Sequence, residues 1–141
     1  MTGPGVPVPV DVAELVVRTL RPLLAGRADP VAAGAQVSTE TGRGPDGGPP
    51  ALPWLLVAED GHTWDWPAVQ RAVMRLTCWH HDVHSAKALA ALALGLLCTP
   101  ALPGVLLRGE PVAAPVAGID PYAVAPLATA AVAVYARTPT R

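Results

Sequence analysis

The sequence predicts an α+β domain, a mostly antiparallel sheet with two helices packed on it, and three observations carry that reading. Apolar residues recur at three- and four-residue spacings over Val12–Leu24 and again over Val83–Leu97. They alternate with period two over Val69–Trp79, and most strand-like segments are neighbours in sequence, which favours antiparallel pairing. At 141 residues the chain suits one core.

The first ten residues, MTGPGVPVPV, hold too much proline and glycine for a helix or a central strand, so residues 1–10 are expected to form an extended arm. Asp11 is placed to cap a helix running to about Leu24. Its stripe is Val12, Leu15, Val16, Leu20, Leu23 and Leu24, with Glu14 complementing the dipole in the first turn. Pro22 removes one helical hydrogen bond and sets an alternative end at Leu20. Gly34–Thr39, centred on Val37, reads as a short strand. The tract TGRGPDGGPP suits no regular element, and residues 40–51 are expected to be a flexible loop. Leu52–Ala58, with the run WLLV, reads as a buried strand, and EDGH at Glu59–His62 as a reversal leading into TWDWP.

Over Val69–Trp79 the alternation sets Ala72, Met74, Leu76 and Cys78 on a core face and Arg71, Val73, Arg75, Thr77 and Trp79 on the other. Asp82 then caps a helix from Val83 to about Leu97, with Ala86, Leu89, Ala90, Ala93, Leu96 and Leu97 as its stripe, widened by Leu92 and Leu94. Pro100 and Pro103 close that segment. Val105–Arg108, Val112–Ile119 and Leu127–Arg137 read as strands, with DPYAVAP as a wide hairpin loop between the last two. The domain thus spans residues 11–138, with a tail at 139–141 and no internal repeat.

Ten Lys and Arg against 11 Asp and Glu leave a formal charge of -1, which removes the whole-surface attraction of a non-specific nucleic-acid or anionic-membrane binder. With 15% of residues charged and 51% apolar, a disordered polyelectrolyte is also excluded. Four Trp, two Tyr and no Phe imply a thin core of Leu, Val and Ala, marginal for a lone subunit. Cys78 and Cys98 allow one bridge at most, and nothing at the N-terminus resembles a signal peptide, so a reduced, cytosolic protein is expected. The most apolar stretch, Ala86–Leu107, is interrupted by Lys87, Pro100 and Pro103, and no membrane partner is expected.

Few constellations suggest chemistry. Cys78, His80, His81 and His84 in CWHHDVH are a zinc-type ligand set, yet they fall on a strand end and turn without a second pair elsewhere. A polar turn with solvated imidazoles is the preferred reading. Ser38 and Ser85 lack a nucleophile elbow, Glu59 and Asp60 form a solvated turn, and GRGPDGG lacks the ending of a phosphate loop. No catalytic residue, cofactor or metal is assigned, and the chain is read as non-enzymatic. The outer face of Val69–Trp79 is more suggestive, because it carries Arg71, Arg75 and Trp79, residue types enriched at interface anchors, with Trp64 and Trp66 just upstream. These five and Tyr122 are the candidate interface. The competing reading has the tryptophans cover the sheet within one chain.

Taken in order, the helix from Asp11, the loop ending in LPWLLV, AVQRAVMRLTCW followed by HDVHSAKALAALALGLL, and the final DPYAVAPLATAAVAVYAR resemble the tail terminator, or tail completion, proteins of long-tailed actinobacterial bacteriophages. The resemblance covers roughly residues 10–138 and rests on the pattern of elements. It implies a homohexameric ring at the head-proximal end of the phage tail. The ring ends polymerisation of the tail tube protein and presents a joint to the head-tail connector protein, with DNA passing unread through the lumen. It implies a virion component, held in the host cytoplasm before assembly. A connector or stopper of the same neck is the nearest alternative, and a metal-binding protein using the Cys78 cluster a more distant one.

Overall fold

A computed structural model describes residues 3–40, 51–100, 102–119 and 125–141. Among these the chain forms α1 (Val12–Ala25), a short 3-10 turn (Pro30–Ala32), β1 (Gln36–Ser38), β2 (Trp54–Asp65), β3 (Val69–Trp79), α2 (Val83–Cys98), β4 (Leu106–Ile119) and β5 (Pro126–Arg137). The strands make one sheet in the order β1-β2-β3-β5-β4, antiparallel except for the β1–β2 pair. The fold is α+β, as the two helical stripes and the alternating strand predict.

Both helices begin where an aspartate can accept orphan backbone N–H groups. Asp11 accepts from the Glu14 N–H at 3.2 Å and Asp82 from that of Ser85 at 2.7 Å. α1 does not stop at Leu20 but runs through Pro22 to Ala25. The single bond lost at the proline is outweighed by burying Leu20 and Leu24, both at most 2% exposed. The buried side follows Val12, Val16, Leu20 and Leu24, joined by Val17 and Thr19. Leu15 and Leu23, expected in that stripe, instead line an open groove of about 320 Å³ against Pro103–Leu106. α2 buries Ala86, Leu89, Ala90, Ala93 and Leu97, while Leu96 is only partly covered.

β2 departs most from expectation. The chain does not reverse at Glu59–His62. It continues to Asp65, pairing with β3 along its whole length, and turns at Trp66–Ala68, where the Ala68 N–H donates to the Asp65 carbonyl at 3.1 Å. A reversal at EDGH would leave the start of β3 without a partner on that side, and unpaired sheet backbone is costly. The loop-like composition is absorbed by a bulge, in which Asp60 falls between the pairs Glu59–Met74 and Gly61–Val73. The two strands expected over Val105–Arg108 and Val112–Ile119 are likewise one, β4, which tolerates Pro111 and Pro115 because it lies at the sheet edge.

The core lies between α1, α2 and one face of the sheet, and its largest fully buried side chains include Leu20, Leu55, Met74, Leu76, Leu89 and Leu97. Beyond it, the arm is extended and pairs with the tail. The Val6 N–H donates to the Arg141 carbonyl, the Arg141 N–H donates back at 2.9 Å, and the Val8 N–H donates to the Pro139 carbonyl at 3.0 Å. Residues 41–50 of the expected loop and 120–124 of DPYAVAP lie outside the described residues. No described helix is long and apolar enough to cross a membrane.

Candidate interaction surface

Register determines which residues share the face that the helices leave open. Trp54 pairs with Trp79, Leu56 with Thr77 and Ala58 with Arg75, and these β3 positions pair in turn with Leu127, Thr129 and Ala131 of β5. On β4 the same face continues through Glu110, Ala113 and Val116. A solvated sheet face ordinarily alternates to polar residues. Here its centre is Leu56, Val73, Leu127, Thr129 and Ala131, all half-buried, bordered by Val116 at 64% exposure.

Charged groups on that face are held in pairs. The Arg71 guanidinium donates to the Tyr135 hydroxyl at 3.2 Å, and that hydroxyl donates to the Glu110 carboxylate at 3.2 Å. Arg108 lies 4.4 Å above the Tyr135 ring and 3.3 Å from Glu110, so one network crosses β3, β5 and β4. Arg75 reaches the bulge residue Asp60 at 3.6 Å, both half-exposed, a contact that water screens.

The tryptophans do not form one patch. Trp79 is 9% exposed and stacks on Trp54 with centroids 4.7 Å apart, so it is packed rather than presented. Trp64 and Trp66 stand at the opposite end of β3, a separation of about 33 Å along ten residues of strand. The bulge at Asp60 sends Trp64 to the helix side of the sheet, where its indole N–H donates to the Thr138 hydroxyl at 3.0 Å. Trp66 is the more exposed of the two, at 68% against 37% for Trp64, on the tip of the β2–β3 hairpin. Tyr122 lies outside the described residues. Sequence reasoning missed Tyr135 and Val116; Tyr135 alternates visibly with buried Val134 and Ala136, Val116 stands between neighbours that are not buried and gives no such signal, and the cross-strand partners of both were not visible.

The Cys78 cluster is dispersed. Cys78 points into the core, where burial pushes its thiol up to about 12. His80 is 7% exposed rather than solvated: its Nε2 lies 3.0 Å from the Val31 carbonyl and its Nδ1 accepts from the His81 N–H at 2.9 Å. Those contacts select the neutral Nε2–H tautomer and occupy both ring nitrogens. His81 and His84 are exposed. Among the described residues no group of three His, Cys, Asp or Glu is placed to hold a metal ion. Backbone and hydroxyl donation from Ser85, with smaller contributions from His80 and His84, holds the Asp82 carboxyl below the usual carboxylate range, which suits a helix cap.

No protein-family model matches the chain, and no curated protein matches it in sequence.

Proposed function

We propose that this protein acts by shape, as a ring-forming assembly subunit of a bacteriophage tail: a tail terminator that caps the tail tube and joins it to the head connector. The observation that carries the reading is the open sheet face. Its apolar centre is covered by neither helix, and burying it against another subunit would supply core that a Leu, Val and Ala interior lacks. The projecting hairpin with Trp66 provides a second apolar element at one end of the same sheet. Two different patches on one subunit suit the head-to-tail contacts that close a ring. The order of elements on which the family resemblance rests, helix, strands, long strand, helix, strands, is also the order of the fold.

Negative-stain microscopy and light scattering of the purified protein, alone and with tail tubes free of heads, test this directly. A cap on one end of the tube, lost in Val73→Glu or Trp66→Ser variants that remain folded, is the expected result. A monomer that ignores tubes would overturn it, and binding to heads but not tubes would favour a connector or stopper instead.

A further inference from the structure

We propose that the outer face of α2 in one copy of this chain covers the open sheet face of the next copy, so that neighbouring subunits pack helix on sheet. The pairing rests on the assembly role proposed above and names the occupant of that same face. A surface helix ordinarily turns polar residues to water. α2 does not. From Ala88 to Cys98 it carries no polar side chain other than the Cys98 thiol. Ala88, Ala91 and Gly95, spaced by three and four, form an exposed crest opposite the buried Leu89, Ala93 and Leu97, and half-buried Leu92 and Leu94 are its shoulders.

Gly95 points the same way independently. Inside a helix glycine is less favourable than any residue but proline. At Gly109 a close backbone neighbour requires it, but a Cβ on Gly95 would meet nothing within 4 Å among the described residues. No contact inside the subunit accounts for that glycine. A surface laid against the crest does, because a low crest of alanine and glycine lets the helix settle close to a sheet while its leucines reach down on either side.

The open face is the counterpart. Leu56, Val73, Leu127, Thr129 and Ala131 make an apolar floor without a covering layer among the described residues. Its charged groups lie at the rim, Asp60 beside Arg75 and Glu110 beside Arg108, and the cation of α2, exposed Lys87, lies at one end of the crest. The two apolar areas therefore meet without burying a charge, and the acidic groups of the rim are opposite in sign to Lys87. A helix about 10 Å wide and 24 Å long laid on a sheet buries on the order of 400 Å² on each partner, half of the roughly 800 Å² of a standard interface. A subunit that makes the contact with both faces reaches that total. The two faces lie on opposite sides of the subunit, so the contact is heterologous and repeats from copy to copy.

Complementary variants of the full chain test the pairing by sedimentation velocity over a concentration series. Ala91→Glu spoils the crest and keeps the sheet face, and Val73→Glu does the reverse. Each alone should stay monomeric with the circular dichroism of the wild type, and a 1:1 mixture should form a heterodimer and nothing larger, joined by the one intact face of each. Gly95→Leu should melt at or above the wild type and yet weaken self-association about tenfold or more, since the added side chain fills the space the neighbour needs. A mixture that remains monomeric, or a Gly95→Leu chain that assembles as the wild type does, overturns the pairing. Assembly that survives in Ala91→Glu but not in Val73→Glu also overturns it while leaving the open face an interface, met by another open face. Wild-type chain that binds tail tubes but never itself gives that face to the tube and overturns the pairing alone. Wild-type chain that does neither overturns the assembly role as well.

Discussion

At the scale of single residues, close approach and burial decide what a side chain can do. Gly109 lies where β4 meets the end of α2, and a Cβ there would stand 2.2 Å from the Leu97 carbonyl oxygen. Both atoms belong to backbone that is tied into regular structure, so neither yields cheaply. Gly109→Val should destabilise the fold by roughly 1–3 kcal/mol in urea titration. Cys78, with its thiol held up to about 12 by burial, should resist thiol reagents at pH 8 until the protein unfolds, whereas half-exposed Cys98 reacts in the native state. Cys98 should still react slowly, because partial burial and then the nearby Glu110 raise its thiol too. Equal labelling of the two in folded protein would contradict the core assignment. The Asp82 cap has a lowered carboxyl. Its contribution is present above the unfolded-state value and is lost as pH falls through the depressed native one, so α2 should keep its first turn until below the usual carboxylate range. Circular dichroism of wild type and Asp82→Asn across pH 2 to 6 would show the difference.

At the scale of elements, the long hairpin β2–β3 carries most of what distinguishes this molecule. Alternation over Val69–Trp79 was legible because β3 is central, with the core on one side and an open face on the other, so each residue type reports its side. β2 was only half legible. Its first residues are buried like a strand, but those from Glu59 onward are exposed, and exposed polar residues with a glycine read as a turn whether or not the backbone is paired. The bulge at Asp60 also decides the faces, since one extra residue sends His62 and Trp64 to the side of Gln70. Deleting Asp60 should therefore turn the bulge into a regular ladder with the same pairs, leaving Trp64 opposite Gln70 and its indole bonded to Thr138, visible as unchanged tryptophan fluorescence. Trp79 belongs to the same hairpin and to its interior end. Trp79→Ala should therefore destabilise the subunit itself, by about 3–5 kcal/mol for a buried tryptophan, and makes a poor probe of assembly.

At the scale of the whole molecule, both helices pack on one side of the sheet and, among the described residues, no element covers the other side, whose residues are not those of a surface at rest in water. Val116→Lys and Val73→Glu alter that face without entering the core cluster. Both variants should melt within a few degrees of the wild type, a ΔΔG of about 0.5 kcal/mol or less, and should fail to form larger assemblies in light scattering. Normal assembly of both would remove the open face from any account of how subunits meet. The arm and tail, far apart in sequence, close on each other beside Gln70, so a chain with ends of unpromising composition binds them by backbone pairing.

The sequence by itself determined the α+β class, the two aspartate caps, the course of β3 and the inward direction of Ala72, Met74, Leu76 and Cys78, because each follows from period and local hydrogen bonding within a few residues. Tertiary structure alone decided that EDGH stays in a strand, that Trp79 is packed against Trp54 while Trp66 is presented, that His80 is enclosed, and that Gln70 receives the arm. Those outcomes depend on which strand lies alongside and in what register. Such pairings join residues tens of positions apart, and no local pattern of the chain encodes them.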